Sequence, residues 1–368
     1  MRNKQVAIID FGSSQIRAVV GQRGVNDTFI IKDKAVFDYD GYTGNSFLDV
    51  DQVKKTVLKV GEFFKQAGKI EDNTVYVGVP SNFTQLVVKQ SQISFEKKKR
   101  ITDEDVDRLY DSAFVTSTAH KTLINRSAII YELNDYRRLA YPVGAQSELL
   151  KGKLSFVLCD NSFVNAVKPG LDFCGFKVEF VSISLAEVMY LFDEEARDRL
   201  SVLIDVGFIS TTFSVVQGDG LIYEKNFDFG GGYITAAITE QLDVDFDVAE
   251  TIKKKVNLSS ISQNSPLEII EGQNGKYFNA EQVKQIIKAC MEEFCENVSA
   301  CLDDLPFVLP EYVPLKITGG GICFIRGAKE LVASRLGVAV ENISPRVPLM
   351  DNPLDSATLS LLDIALRQ

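Results

Sequence analysis

The chain is 368 residues long, 45% hydrophobic, and carries a formal net charge of −10. A chain of this length more readily forms two compact domains, each with its own buried core, than one. The acidic balance argues against a nucleic-acid surface, which needs clustered Lys and Arg to neutralise phosphates. The basic run KKKR at residues 97–100 precedes an acidic stretch. It predicts a solvated turn, with an anion or partner contact as the alternative.

The cysteines and the N-terminus indicate the compartment. Six cysteines and a single histidine, His120, show no spacing typical of a structural zinc site. The apolar run that ends at Asp10 is too short for a signal peptide. No apolar run approaches the ~20 residues that a membrane span requires. These features predict a cytoplasmic protein that does not cross a bilayer.

The first predicted element is a β-hairpin at residues 7–21, with the sequence AIIDFGSSQIRAVVG. Its first apolar run ends in Asp10, and Gly12 supplies the backbone freedom that a tight turn requires. A second β-prone run follows the polar turn. Asp and Gly are ordinary turn residues, so one such hairpin is weak evidence for a site.

A second copy of this pattern lies at residues 202–217, VLIDVGFISTTFSVVQ, with Asp205 and Gly207 at its turn. Two copies, one near the start of each half of the chain, predict two similarly built domains that face each other across a cleft. Opposed carboxylates in such a cleft can hold the water shell of Mg²⁺, and turn N–H groups can donate to phosphate oxygens. The alternative is two unrelated hairpins in two sheets.

Two glycine triplets add to this prediction. Residues 230–232 precede a helix-prone stretch, and residues 319–321 follow a strand-like one. Glycine there lets the backbone approach a ligand, although either triplet alone could be a tight connection. Residues 249–256, AETIKKKV, are helical in character and place Glu250 and Lys253 on one face. The alternative for this pair is an exposed ion pair.

Taken in order, these segments resemble the actin, Hsp70 and hexokinase superfamily, and more closely the FtsA-type bacterial cell-division proteins. The resemblance covers nearly the whole chain and implies an α/β, actin-like fold with two ribonuclease H-like domains. It also implies that ATP and Mg²⁺ bind in the cleft, with Asp10 and Asp205 holding the metal through water. The nucleotide-binding residues that it implies are Asp10, Gly12, Ser13, Ser14, Gln15, Asp205, Gly207, Ser210, Thr211, Gly230, Gly231, Gly232, Glu250, Lys253, Gly319, Gly320 and Gly321.

Two further segments resemble the 1C subdomain that separates FtsA from actin. ITDEDVDRLYDSA at residues 101–113 looks like the helix of this insert, and YPVGAQSELL at residues 141–150 looks like its downstream segment. A PilM-like pilus-assembly protein shares the same subdomain plan and stays open as the alternative. The implied division is 1–80, 160–199 and 344–368 for the first domain core (1A), 81–159 for the insert (1C), 200–234 and 305–343 for the second domain core (2A), and 235–304 for the outer subdomain (2B).

The chain departs from the family where phosphate chemistry occurs. Gln15 replaces a Lys of the first phosphate loop, a loss of roughly 1.5–3 kcal/mol in charge-assisted hydrogen bonding. Phe208 and Ile209 replace glycines of the second loop and are expected to crowd it. Ile183 stands in place of the Glu that orients the attacking water. Glu187, one helical turn on, is the catalytic candidate, and the alternative is a surface acid.

These features predict an FtsA-like cell-division scaffold that binds ATP with Mg²⁺ and is at most a weak ATPase. The alternatives are a PilM-like assembly adaptor, a nucleotide-free adaptor, and a sugar or metabolite kinase on the same fold. No kinase signature supports the last of these. The resemblance further implies self-association into filaments through the 1C insert, and a position at the division site through partners.

The FtsA resemblance also suggests a partner and a C-terminal anchor. It implies that the C-terminal tail of FtsZ binds the outer subdomain, but Cys290 stands where a basic residue is expected for an acidic tail. Residues 354–368 match the helix that closes the first domain, so their apolar side chains are needed for the core. Since the chain stops at Gln368, no direct membrane anchor is expected in it.

Overall fold

Three larger β-sheets, two of five strands and one of four, organise the fold. The computed structural model describes residues 4–25, 28–114, 120–259, 269–271, 275–348 and 350–368. The strands are β1 (Gln5–Phe11), β2 (Gln15–Arg23), β3 (Phe29–Asp38), β4 (Tyr42–Thr43), β5 (Ser46–Phe47), β6 (Thr74–Val79), β7 (Thr84–Arg100), β8 (Lys121–Leu133), β9 (Arg138–Leu139), β10 (Gln146–Asp160), β11 (Lys177–Ser182), β12 (Ser201–Val206), β13 (Thr211–Gln217), β14 (Gly220–Phe227), β15 (Ile269–Glu271), β16 (Tyr277–Asn279), β17 (Leu315–Thr318) and β18 (Val340–Asn342). The helices are α1 (Val50–Gln66), α2 (Asp103–Ala113), α3 (Asn161–Phe173), α4 (Ile183–Leu191), α5 (Glu194–Asp198), α6 (Gly231–Leu242), α7 (Phe246–Lys255), α8 (Ala280–Asp303), α9 (Ala328–Leu336) and α10 (Ser356–Arg367).

Lobe 1 consists of the sheet β11-β6-β1-β2-β3 with helices α1, α3, α4 and α10. Strand β1 pairs antiparallel with β2 and parallel with β6. Its alternate side chains enter two cores: Ile9 and Phe11 pack in the core beneath α1 and α3, and Val6 and Ile8 pack beneath α10. This burial on both faces fixes the end of β1, where Asp10 lies.

Lobe 2 repeats this plan with the sheet β14-β13-β12-β17-β18 and helices α6 to α9. Strand β12 pairs antiparallel with β13 and parallel with β17, as β1 does with β2 and β6. The predicted actin-like duplication is therefore confirmed. Because β1 and β12 occupy corresponding positions, Asp10 and Asp205 lie at corresponding points of the two sheets.

The insert consists of the sheet β7-β10-β8-β9 and helix α2. The helix predicted for residues 101–113 begins at Asp103, because Thr102 and Asp105 form a capping box ahead of it. Strand β10 begins at Gln146, inside the predicted downstream segment. The insert thus has its own sheet and its own small core.

The insert contacts both lobes. The side chain of Ile129 joins the core of lobe 2, and the amide of Asp219 donates to the carbonyl of Ala128 at 3.1 Å. On the other side, Asn125 Oδ1 accepts from the amide of Ser182 in lobe 1 at 2.8 Å. These contacts hold the insert against the junction between the lobes.

The outer part of lobe 2 carries α8, a helix of 24 residues that packs against α6 and α9. Asn279 caps it by accepting from the amides of Glu281 and Gln282. Cys290 on this helix is 7% exposed, so it belongs mainly to the core. Among the described residues, no helix is both long and apolar enough to cross a membrane.

Candidate functional site

A cavity of about 590 Å³ lies between lobe 1 and lobe 2. The turn from β1 to β2 lines one side, and the turn from β12 to β13 lines the other. Its volume is within the usual range for small-molecule sites. The predicted site residues that line it are Asp10, Gly12, Ser13, Ser14, Gln15, Glu187, Asp205, Gly207, Ser210, Gly231, Glu250, Lys253, Gly319, Gly320 and Gly321.

Three predicted nucleotide-binding residues do not line this cavity: Thr211, Gly230 and Gly232. The hydroxyl of Thr211 is buried and donates to the carbonyl of Phe229 at 2.7 Å. The amide of Gly232 donates to the carbonyl of Phe208 at 2.8 Å. These residues therefore support the walls of the cavity instead of facing its interior.

Three loops meet at the lobe 2 wall. The carbonyls of Val206 and Gly207 accept from the amides of Gly321 and Gly231, at 2.8 and 2.9 Å. A Cβ atom on Gly231 would lie only 2.8 Å from Cα of Gly321, so the close approach requires glycine. The triplets were expected to bring backbone close to a ligand. They also bring backbone close to backbone.

Asp10 lies buried at the lobe 1 wall. Its Oδ2 accepts from the hydroxyl of Thr358 at 2.6 Å and lies 3.5 Å from Nη1 of Arg17. Arg17 also donates to the carbonyl of Leu354 at 3.1 Å. Sequence reasoning missed Arg17, although it lies two residues after Gln15 and so on the same face of β2. The lobe 1 side of the cavity therefore contains a cation despite the neutral Gln15.

Gln15 itself is engaged with a neighbouring strand. Its Nε2 donates to Oδ1 of Asp38 on β3 at 2.9 Å, while the residue still lines the cavity. One of the two N–H groups of this side-chain amide is therefore already engaged in the ligand-free chain.

The two bulky residues of the second loop behave differently from each other. Phe208 is 41% exposed and lines the cavity, with its ring centroid 6.0 Å from that of Phe246. A Cβ on Gly232 would lie 2.9 Å from its ring, so the ring lies over the start of α6. Ile209 does not line the cavity. The expected crowding of the cleft thus involves Phe208 and not Ile209.

Asp205 faces the cavity from lobe 2, opposite Asp10. Burial, followed by the negative charge of Asp10, raises the pKa of Asp205 to about 6. Two carboxylates from corresponding strands thus repel each other across the cleft. Such a pair is stabilised when a cation lies between them.

Glu187 is buried, with 2% of its surface exposed, and lines the same cavity from α4. The alternative of a surface acid is therefore wrong. Burial, then the charges of Asp205 and Asp10, raise the pKa of Glu187 well above its usual value. Its Oε1 is buried and has no hydrogen-bond partner among the described residues. Ile183, one turn earlier on α4, also lines the cavity.

Glu250 and Lys253 form a largely buried pair, so the alternative of an exposed ion pair is also wrong. Lys253 is 3% exposed, and its Nζ lies 2.6 Å from Oε2 of Glu250. It also donates to the carbonyl of Gly231 at 2.9 Å and to Thr235 at 2.8 Å. Burial lowers the pKa of Lys253. The pair joins α7 to the start of α6, and both residues border the cavity.

Polar side chains join lobe 2 to the start of the insert beside the cavity. Ser81 Oγ donates to Asn226 Oδ1 at 2.6 Å and lies 2.5 Å from Oγ1 of Thr212. Ser210 of the second loop donates to Oδ1 of Asn82 at 3.1 Å. Since residues 81–83 lead directly into β7, the second loop is hydrogen-bonded to the start of the insert.

The first turns of α10 contact the acid-bearing strand β1 and the strand β17, which is the neighbour of the acid-bearing strand β12. Ser356 shares a buried 2.7 Å hydrogen bond with Thr318, which pairs with Asp205 on the adjacent strand. Thr358 donates to Asp10, as described above. No local sequence pattern predicts these contacts, because they join residues that are 38 and 348 positions apart.

The residues present fit a metal-bound polyphosphate. Among the described residues, no carbonyl or side chain accepts from the amides of Ser13, Ser14, Phe208 or Ile209 at the two turns. Such amides can donate to phosphate oxygens. The described ranges contain no cluster of three or more His, Cys, Asp or Glu side chains able to hold a metal ion. A cation between Asp10 and Asp205 would therefore be held largely through water.

Comparison with known sequences gives two families. The profile of the type IV pilus assembly protein PilM family matches residues 172–353. The cell division protein FtsA of Bacillus subtilis is 25% identical over 392 aligned positions, covering 100% of this chain and 85% of its own. FtsA of Enterococcus hirae is 21% identical over 364 positions, covering 96% of this chain and 81% of its own.

Comparison with solved structures shows the fold. The PilM–PilN type IV pilus biogenesis complex matches with a TM-score of 0.64 and 15% identity, covering 99% of this chain and 98% of that one. MreB5 of Spiroplasma citri bound to ADP matches with a TM-score of 0.57 and 11% identity, covering 98% and 95%. EutJ of Carboxydothermus hydrogenoformans matches with a TM-score of 0.55 and 13% identity, covering 100% and 90%.

Proposed function

We propose that this chain is a divergent FtsA-type member of the actin-like ATPase superfamily, and that it is a cell-division scaffold that binds ATP with Mg²⁺ between its lobes. One observation carries the proposal: Asp10 and Asp205, from corresponding strands, face one cavity of about 590 Å³. The similar MreB5 structures contain ADP or AMPPNP.

Each wall of the cavity has a part in this proposal. Asp10 and Asp205 orient a hydrated Mg²⁺, which when bound neutralises phosphate charge. The unpaired turn amides and Arg17 bind phosphate oxygens. Gly319 to Gly321 and the Glu250–Lys253 pair border the nucleoside. A ligand that contacts both lobes would stabilise the folded two-lobe arrangement, because a molecule that binds only the folded chain stabilises that state.

Slow turnover follows from the same residues. Water attack on a phosphate requires a group that accepts or orients a proton. Burial and the charges of Asp205 and Asp10 raise the pKa of Glu187, which disfavours the ionised form that a general base requires. Ile183 has no polar group, and the amide of Gln15 is engaged with Asp38. In this proposal the nucleotide therefore stabilises the two-lobe structure and is not turned over rapidly.

Titration of the purified chain with ATP tests binding directly. We expect micromolar affinity with Mg²⁺ by isothermal titration calorimetry and a clear loss of affinity in excess EDTA. Absence of any ATP binding would contradict the proposal and favour a nucleotide-free adaptor. Phosphoryl transfer to a panel of sugars would instead indicate a metabolite kinase.

Turnover gives the second measurement. We expect phosphate release by the unmodified chain to stay close to background. The combined change Gln15→Lys, Phe208→Gly, Ile209→Gly and Ile183→Glu should raise it if the fold survives. We expect Ile209→Gly to contribute little to that increase in phosphate release, because Ile209 does not line the cavity. Steady release by the unmodified chain, abolished by Glu187→Gln, would contradict slow turnover.

Acidity should weaken nucleotide binding. The pKa of Asp205 is about 6, so this carboxyl is mostly ionised at pH 7 and mostly protonated at pH 5. A metal ligand binds in its ionised form, so we expect the affinity for ATP with Mg²⁺ to fall roughly tenfold between these pH values. Adenosine needs no metal, so its affinity should be the same at pH 5 and at pH 7. Equal loss for adenosine would contradict the metal-linked cause.

A PilM-like assembly adaptor is the second candidate function. The PilM profile match to residues 172–353 and the 0.64 TM-score to the PilM–PilN complex favour it. Under the leading proposal the insert mediates filament formation, and the outer part of lobe 2 binds the FtsZ tail. Cys290 is mostly buried and uncharged, so it gives this tail no basic contact. Fluorescence anisotropy with an FtsZ tail peptide, together with ATP-dependent pelleting, separates the two functions.

A further inference from the structure

Three exposed phenylalanines line the cavity from lobe 2. Phe208 is 41% exposed, Phe246 is 42% exposed and Phe324 is 38% exposed. Among the described residues one other phenylalanine is exposed, Phe173 at 82%, and it does not line the cavity. Contact between apolar rings and water is unfavourable. The collection of such rings around one cavity therefore indicates a ligand with a surface that covers them.

Two of these rings, Phe208 and Phe246, contact each other and form an aromatic pair. Their centroids are 6.0 Å apart and their planes meet at 68°, which is an edge-to-face arrangement. The position of Phe208 is further restricted by α6. Its carbonyl accepts from the amide of Gly232 at 2.8 Å, and a Cβ on Gly232 would lie 2.9 Å from its Cζ. The aromatic pair is thus held in place while part of each ring stays exposed.

The aromatic pair connects the second acid-bearing turn to α7. Phe208 follows Gly207 in that turn, and Phe246 is the first residue of α7. Glu250 lies one helical turn after Phe246 and lines the same cavity. In the proposed function the turn binds phosphate, and the Glu250–Lys253 pair borders the nucleoside. The aromatic pair therefore reaches from the phosphate-binding turn to the helix that borders the nucleoside.

The base is the part of a nucleotide that matches this surface. Ribose and polyphosphate are polar, and an aromatic ring gives them no hydrogen-bond partner in exchange for water. Every base has a flat π face, and the stacking of bases on aromatic side chains is a strong and common contact. A ring pair at 68° can contact a base with the face of one ring and the edge of the other. A purine offers more surface for this contact than a pyrimidine does.

On the basis of the proposed function, we infer that Phe208 and Phe246 bind the base of the nucleotide by stacking and give the site a preference for purines. Phe208 stands where the family resemblance implies a glycine. It therefore adds a binding surface to the loop that it crowds. The aromatic pair determines the affinity for the base and does not contact the polyphosphate.

The test compares ATP, CTP and inorganic tripolyphosphate, each titrated calorimetrically in the presence of Mg²⁺. The proteins are the unmodified chain, Phe208→Leu, Phe246→Leu and the matched control Phe173→Leu, since leucine keeps an apolar side chain without a π face. We expect the unmodified chain to bind ATP more tightly than CTP. Phe208→Leu and Phe246→Leu should each weaken ATP binding roughly tenfold and leave the affinity for tripolyphosphate unchanged. Phe173→Leu, at the end of α3 and away from the cavity, should change neither affinity.

Four results would overturn the inference while the proposed function stands. Unchanged ATP affinity in either leucine variant would remove that ring from the base. Tighter ATP binding by Phe208→Leu would show that its ring obstructs the cavity. An equal loss for ATP and tripolyphosphate would show that the change acts on the phosphate loops or on the fold. Equal affinity of the unmodified chain for ATP and CTP would remove the purine preference.

Two further results complete the test. Absence of ATP binding by the unmodified chain would overturn the proposed function together with the inference. If the leucine variants fail to fold, 4-fluorophenylalanine in place of Phe246 provides the readout. Its ¹⁹F resonance should shift with ATP but not with tripolyphosphate, and an identical response to both ligands would overturn the inference.

Discussion

Asp205→Asn is expected to weaken the binding of ATP with Mg²⁺ about a hundredfold. The substitution keeps the shape of the side chain but removes one of the two opposed carboxylates that face the cavity. Losing a charged partner of a bound cation and its phosphates removes roughly 2–3 kcal/mol of binding free energy. Calorimetric titration in Mg²⁺ and in EDTA measures the loss. In EDTA the variant and the unmodified chain should have similar affinities for ATP.

Asp228→Asn is the matched control, because Asp228 is an exposed acid of the same lobe. It should bind ATP as the unmodified chain does. If Asp205→Asn bound ATP with unchanged affinity in Mg²⁺, the two-carboxylate cleft would be wrong as a metal site, even though the fold is established.

Glu187→Gln is expected to raise the free energy of unfolding of the ligand-free chain at pH 7.5 and to raise it less at pH 5. Burial, Asp205 and Asp10 raise the pKa of Glu187 in the folded state above its unfolded value. Each pKa unit of such a difference amounts to about 1.4 kcal/mol. Glutamine keeps the shape without the ionisable group. Urea unfolding at both pH values, without metal, measures the change.

The direction of this effect follows from proton binding. Between the unfolded and the folded pKa of Glu187, the folded chain binds more protons than the unfolded chain, so the free energy of unfolding falls as pH rises. Asp205, with a folded pKa of about 6, acts in the same direction between about pH 4 and 6. The ligand-free chain should therefore become more stable on mild acidification.

Glu62→Gln provides the comparison, because Glu62 is exposed on α1. It should leave the free energy of unfolding unchanged within about 0.5 kcal/mol at both pH values. A destabilising effect of Glu187→Gln, or the same effect at pH 5 and pH 7.5, would contradict the raised pKa of Glu187.

The two acid-bearing hairpins could be predicted because their pattern is local. An apolar run, an acid and a glycine within a few residues determine both a strand end and its turn. The fold class followed from finding this pattern twice. The sequence therefore predicts that Asp10 and Asp205 share one cleft, and they line one cavity in the structure.

Residues 209–212, which lead from the second turn into β13, show where the site residues implied by the resemblance differ from those in the structure. Ser210 and Thr212 line the cavity, whereas Ile209 and Thr211 do not. This is the period of two that an extended strand imposes. Following that period would have excluded Thr211 and Ile209 and included Thr212. The same rule, applied from Gln15, would have found Arg17.

Other parts of the site depend on contacts between distant segments. Thr358 and Ser81 reach their partners only after several elements have packed. Thr358 and Ser81 have no signal in a single sequence, because their environment is made by tertiary structure. The burial of Glu187 does have a local signal: the other residues of α4 are apolar apart from Ser184, and a helix that is apolar on all its faces is usually buried.

The hydrogen bond between Thr358 and Asp10 joins residues 348 positions apart and has a consequence for synthesis. Domains generally fold as the ribosome delivers them, N-terminal parts first. Here β1 is among the first strands to emerge, but one face of its sheet is covered by α10, which emerges after all of lobe 2. During translation, that apolar face of the lobe 1 sheet therefore stays exposed to solvent until α10 has been synthesised. Until then the nascent chain can aggregate or bind chaperones. Lobe 2, whose strands and helices are contiguous in the chain, can fold before lobe 1 is complete.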